Sequence, residues 1–111
     1  AGLAALTGPK EPVLEMVSQF DERSKVIVSA LKDLKGVSCI DSAGAFYAFP
    51  NISETGLSSS QAQDLILDEA GVATIAGTSF GKFGEGYLRF SYANSKDNIL
   101  RAIERIDKIL K

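Results

Sequence analysis

The stretch GEGYLRFSYANS, Gly84 to Ser95, sets a long cation among strand-forming residues. Tyr87, Leu88, Phe90 and Tyr92 favour extended backbone, and Arg89 sits in their midst. Side chains alternate along a strand. Tyr87, Arg89, Ser91 and Ala93 therefore share one face, and Leu88, Phe90 and Tyr92 the other. The second face is apolar and should take the helices; the first is mixed and should look away from the core. Arginine presents a planar fork suited to a carboxylate or phosphate. The pattern alone leaves two readings of Arg89 open. It is either an ordinary surface cation, exposed on a solvent-facing sheet or paired with a carboxylate of the same domain, or an anion site.

The remaining chemistry is sparse. The run GTSFGKFGEG, 77–86, is glycine-rich but is not a phosphate loop. Phosphate loops run strand, glycine loop, helix, so that helix-terminal N–H groups face the anion, whereas this loop leads into a strand. It reads as a tight connector that brings backbone close to something. There is no histidine, which removes the commonest acid–base residue. The single cysteine, Cys39, forms no internal disulfide; it reads as a small buried hydrophobe in a reducing, cytoplasmic setting. In GAFYAFP, Phe46, Tyr47 and Phe49 read as mainly core, with Tyr47 placed to turn its hydroxyl to the other face. The carboxylates are scattered over helical faces. No general acid–base pair and no metal-ligand cluster stands out. The expectation is that this chain holds no catalytic, cofactor-binding or metal-binding residue of its own.

The elements that must position Arg89 follow from periodicity. The 111 residues suit one small domain, and a net charge of −2, with acids and bases mixed, argues against a nucleic-acid partner. No apolar run reaches transmembrane length. Residues 1–8 read as a helix tail ended by Gly8. Apolar residues from Val13, Met16 and Val17 through Phe20, Ile27, Leu31 and Leu34 predict one long helix, or two abutting ones, over 12–35. VSCI (37–40) and AFYAF (45–49) predict strands around a turn. Ser58 and Gln61 form a capping box for a short helix closed by Gly71. Residues 72–76 and 87–93 read as strands. Ser95 caps a last helix with Ile99, Ile103, Ile106 and Leu110 on one stripe. The expected fold class is α+β: a small, mostly antiparallel sheet with helices packed on one face. Residue 1 is alanine and the sole methionine is Met16, which marks the chain as an expected piece of something larger.

Three runs, GAFYAFPNIS, EAGVATIAGTSFG and GEGYLRFSYANSKDNILRAIERI, carry a resemblance. In this order and at these separations they resemble the carboxy-terminal part of class I pyridoxal-phosphate aminotransferases, particularly the aspartate aminotransferase-like branch. AALTGPKEPVLEMVSQFDERSKVIVSAL looks like the family's interdomain helix end followed by the first long helix of the small domain. Two departures concern turns. The proline often found before GAFY is absent from Asp41–Ala43, and Ala76 replaces the proline of the second motif.

The resemblance implies specific roles. Arg89 occupies the position that binds the substrate α-carboxylate, and Phe46 lines the substrate side more weakly. The Gly77–Phe80 loop lies near the active-site mouth. Residues 1–8 end an interdomain helix from a large domain, and 9–111 form the small domain. Pyridoxal phosphate, amino-acid and 2-oxo-acid substrates, and a homodimer belong to the full-length enzyme. Its Schiff-base lysine lies upstream, and Lys25 in ERSKVIV is not assigned that role, so the chain alone is expected to be inactive. Two alternatives stay open: a stand-alone α+β ligand-binding or dimerisation module, and the small domain of another class I pyridoxal-phosphate enzyme such as an amino-acid lyase.

Overall fold

The computed structural model describes residues 1–110. Helix α1 (Gly2–Thr7) leads through Pro9 into α2 (Glu11–Lys32). Strand β1 (Tyr47–Ala48) precedes a 3-10 turn at Ser53–Thr55 and helix α3 (Ser59–Ala70). Strand β2 (Ile75–Ala76) opens into two further 3-10 turns, Gly77–Phe80 and Lys82–Gly84. Strand β3 (Leu88–Ser91) and helix α4 (Lys96–Ile109) follow. The strands form one sheet in the order β1-β3-β2, antiparallel at both pairings. β3, which carries Arg89, is therefore central.

Local sequence explains the helix ends. Ser58 Oγ accepts a hydrogen bond from the Gln61 amide at 3.2 Å, and Gln61 Oε1 accepts one from the Ser58 amide at 3.0 Å. This reciprocal pair satisfies two otherwise orphaned donors and contributes about 1 kcal/mol. At the far end Gly71 adopts φ 63°, a left-handed cap that glycine takes without a Cβ penalty. Ser95 Oγ likewise accepts from the Asn98 amide at 3.2 Å at the start of α4.

The core lies between the helices and one face of the sheet. Ile27, Val28 and Leu31 of α2, Ile66 of α3, and Ile99, Ile103 and Ile106 of α4 are buried with Leu88, Phe90 and Tyr92. The period-2 split of β3 is thus realised, with its apolar set under the helices. Among the described residues no helix is long and apolar enough to cross a membrane, and no group of three or more ligand-type side chains is placed to hold a metal.

Four local expectations change. Phe46 and Phe49, expected to be mainly core, are 40% and 38% exposed. The segment 37–40 is not a regular strand; it makes one antiparallel bridge, Ser38 to Asn51, with N–O distances of 2.9 and 2.8 Å. Cys39 turns inward while Ile40 is 84% exposed, so no neighbour extends the ladder. The helix expected over 12–35 is one uninterrupted element that ends at Lys32, and Val13, Met16 and Val17 are exposed rather than core. Burial on α2 begins only in its C-terminal half, at Ile27, where α4 and β1 pack against it. Gly8 ends α1 in extended backbone, φ −75° and ψ 176°, not in a left-handed cap.

Candidate functional site

Arg89 stands on the open face of the sheet, paired across the ladder with Ile75. Its guanidinium carbon lies 4.4 Å from the centroid of the Tyr47 ring and 4.5 Å from that of Phe80. Both distances fall within cation–π range. The rings arrive from opposite flanks of β3: Tyr47 from β1, and Phe80 from the turn that follows β2. The side chain is half-buried. Among the described residues it makes no hydrogen bond, and no carboxylate oxygen lies within 4.0 Å of it. The ion pairs go elsewhere, to Lys25–Asp21, Lys32–Asp41 and Lys96–Glu22. The surface-pairing reading of Arg89 therefore finds no partner.

The rest of this face is aromatic. Phe49 stacks on Tyr87 with centroids 5.2 Å apart and planes at 8°. It also meets Phe80 edge-on at 6.3 Å. Phe46 does not contact the guanidinium. Its ring packs 4.3 Å from Tyr47 and 6.1 Å from Phe20 of α2, bracing Tyr47 from behind. Tyr47 and Phe80 are the residues that periodicity did not single out as ring partners of Arg89. The signal for Tyr47 was its alternation against Phe46; Phe80 sits in a loop and carried none.

The glycine-rich loop is where backbone comes close, and the reason is geometric. A Cβ on Gly77 would lie 2.2 Å from the Gly84 carbonyl oxygen, and one on Gly84 would lie 2.0 Å from that of Gly77. The two glycines press together and fold the loop into consecutive 3-10 turns. The Gly77 amide donates to the Tyr87 carbonyl at 2.8 Å, anchoring the turn that carries Phe80 to the start of β3. Beneath it, Ser59 is fully buried. Its Oγ accepts from the Gly86 and Tyr87 amides at 2.9 and 3.2 Å, and donates to the Gly84 carbonyl at 3.3 Å. The Glu85 carboxylate accepts from the Ser59 amide at 2.9 Å, a negative group at a helix N-terminus.

Other ionisable groups stay apart from this face. Asp21 holds the Lys25 amine above its ordinary range through a hydrogen bond and its charge. That keeps it a cation on an exposed helix, the opposite of a free-amine nucleophile. Lys82 lies over the Phe83 ring at 4.9 Å. Burial pushes the Cys39 thiol up, only partly offset by Lys32.

The fold is thus a helix-backed antiparallel α+β sheet whose open face holds one guanidinium between two aromatic rings, without a carboxylate partner among the described residues. The chain belongs to the aminotransferase class I and II family, matching it over residues 1–106. It is 44% identical to an aspartate aminotransferase from Pyrococcus horikoshii, over the whole of this chain and 29% of that protein. The crystal structure of an aromatic aminotransferase from the same organism superposes with a TM-score of 0.87 at 41% identity, covering 90% of this chain and 26% of that one. An aspartate aminotransferase from Rhizobium meliloti superposes with a TM-score of 0.91 at 27% identity, covering 98% of this chain and 29% of that one. The chain thus spans under a third of the length of these relatives.

Proposed function

We propose that residues 9–111 are the small carboxy-terminal domain of a pyridoxal-phosphate aminotransferase, that residues 1–8 end a helix from its large domain, and that Arg89 binds the substrate α-carboxylate. The observation that carries this is the Arg89 guanidinium, ring-flanked, half-buried and without a carboxylate partner among the described residues. A cation in that state gains most from a planar anion that offers two oxygens to its fork. The reaction is exchange of an amino group between an amino acid, aspartate or one similar, and a 2-oxo acid. A cytoplasmic homodimer is part of the same reading.

Pyridoxal phosphate, when bound, supplies the electron sink for this chemistry. The lysines apart from this face do not fit it: Lys25 is a paired surface cation on α2 and Lys82 lies over Phe83. Holding the cofactor falls to residues outside this chain. What the residues of this face do is bind and orient. Arg89 fixes the carboxylate end of the substrate, so that the amine and the Cα–H present one direction. Tyr47, Phe49, Phe80 and Tyr87 line that side with apolar surface, which strengthens the charge pair by displacing water.

The test is Arg89→Ala in the full-length enzyme. Loss of a desolvated charge-assisted pair should lower kcat/KM for amino acids by about 3 kcal/mol or more, some hundredfold. An efficiency within about threefold of the parent, a difference of under 1 kcal/mol, rejects the assignment.

A further inference from the structure

We propose that Tyr47 and Phe80 are positioning residues, a pair of aromatic jaws that hold the Arg89 guanidinium in its binding pose before any ligand arrives. The proposal rests on the carboxylate-binding reading of Arg89 and adds to it how the arginine is kept ready.

Three observations support the jaws. Both rings lie at cation–π distance, 4.4 and 4.5 Å, from opposite flanks of the central strand. Each jaw is braced by a different part of the fold. Tyr47 is backed by Phe46 at 4.3 Å, and Phe46 by Phe20 of α2 at 6.1 Å. Phe80 is backed by Phe49 at 6.3 Å, and Phe49 by Tyr87 at 5.2 Å. The turn that carries Phe80 is locked by the Gly77–Gly84 contact, which admits no side chain at either position. The guanidinium N–H groups make no hydrogen bond among the described residues. The rings therefore fix the arginine without consuming its donors.

The physical gain is preorganisation. A free arginine surrenders rotamer freedom on binding, whereas one already held between rings surrenders it on folding. A carboxylate on the same domain would also hold the side chain, but it would compete with the ligand for the fork. Aromatic faces attract the cation and leave the hydrogen-bonding edge open.

The experiment uses the full-length enzyme with Tyr47→Leu, Phe80→Leu and Tyr47→Phe, and Arg89→Ala as the reference. Kinetic constants are measured for an amino-acid substrate and for the matching amine that lacks the carboxylate. Each leucine variant should raise KM for the amino acid by about three- to thirtyfold, with little change for the amine. Tyr47→Phe keeps the ring and should stay within about twofold, since the hydroxyl plays no part in the contact. Phe80 is 52% exposed, so its replacement leaves the fold intact and keeps the test decisive. The jaws are rejected if both leucine variants match the parent, or if the amine and the amino acid lose efficiency equally. If Arg89→Ala itself leaves the preference for the carboxylate unchanged, the carboxylate reading has failed. If Arg89→Ala abolishes that preference while the leucine variants keep it, only the jaws have failed.

Discussion

Replacing Ser59 with alanine removes one oxygen atom from a fully buried site. That oxygen serves three backbone groups: the amides of Gly86 and Tyr87, and the carbonyl of Gly84. Tyr87 N–H and the Gly84 carbonyl also bond each other at 3.2 Å, so both keep a partner in the variant. The Gly86 amide has no second acceptor among the described residues. The cost is therefore the weakening of shared bonds plus one orphaned buried donor. A net hydrogen bond contributes about 1 kcal/mol and an orphaned donor costs about 1–3 kcal/mol, which together give roughly 2–4 kcal/mol. Urea unfolding, followed by far-ultraviolet circular dichroism, reads this as a midpoint shift. With a slope of about 1.5 kcal/mol/M, the midpoint should fall by roughly 1.3–2.7 M at constant slope. Ser60→Ala, on the exposed side of the same turn, should stay within about 0.5 kcal/mol. A Ser59→Ala midpoint within about 0.3 M of the parent, at the same slope, would refute the claim that this hydroxyl pins the loop to β3.

The remaining expectations concern packing and one thiol. Gly77→Ala and Gly84→Ala place a Cβ against a carbonyl oxygen that cannot retreat; each should cost about 1–3 kcal/mol or more in urea unfolding. Ile106→Ala empties a fully buried position on α4 and should cost about 2–5 kcal/mol by thermal or urea unfolding. Burial raises the folded-state pKa of Cys39, so the native chain holds a proton that the unfolded chain releases. Stability from this group is fully present below the ordinary thiol range and declines as pH rises through the folded value. Alkylation of Cys39 at pH 8 should accordingly be slow in the native protein and fast in urea; equal rates would contradict the burial.

Much of the fold was legible because local chemistry and tertiary structure agree. The capping box at Ser58 and Gln61, the cap at Ser95, and the Ile99–Ile103–Ile106 stripe are decided within a few residues, and the structure keeps all of them. The alternation of β3 was equally readable: one face is Leu88, Phe90 and Tyr92, the other Tyr87, Arg89 and Ser91. The segment 37–40 misled because strand-forming residues make a strand only if a neighbour accepts the ladder, and here only Asn51 does. Val13, Met16 and Val17 misled because helical periodicity reports which side is apolar, not whether anything covers it.

The sequence by itself determined the helices, the N-caps at Ser58 and Ser95, and the face on which Arg89 stands, since these depend on spacings of two to four residues. Its motifs also carried the family resemblance. Only the tertiary structure decided what surrounds the arginine. Tyr47 and Phe80 lie on separate elements, 33 positions apart, and meet the guanidinium only because β3 inserts between β1 and β2. Ser59 likewise reads as one more polar residue beside a cap, until packing of α3 under the glycine loop buries its hydroxyl against backbone 25 to 28 residues away. Contacts of that separation are fixed by how the layers pack, which no local pattern encodes.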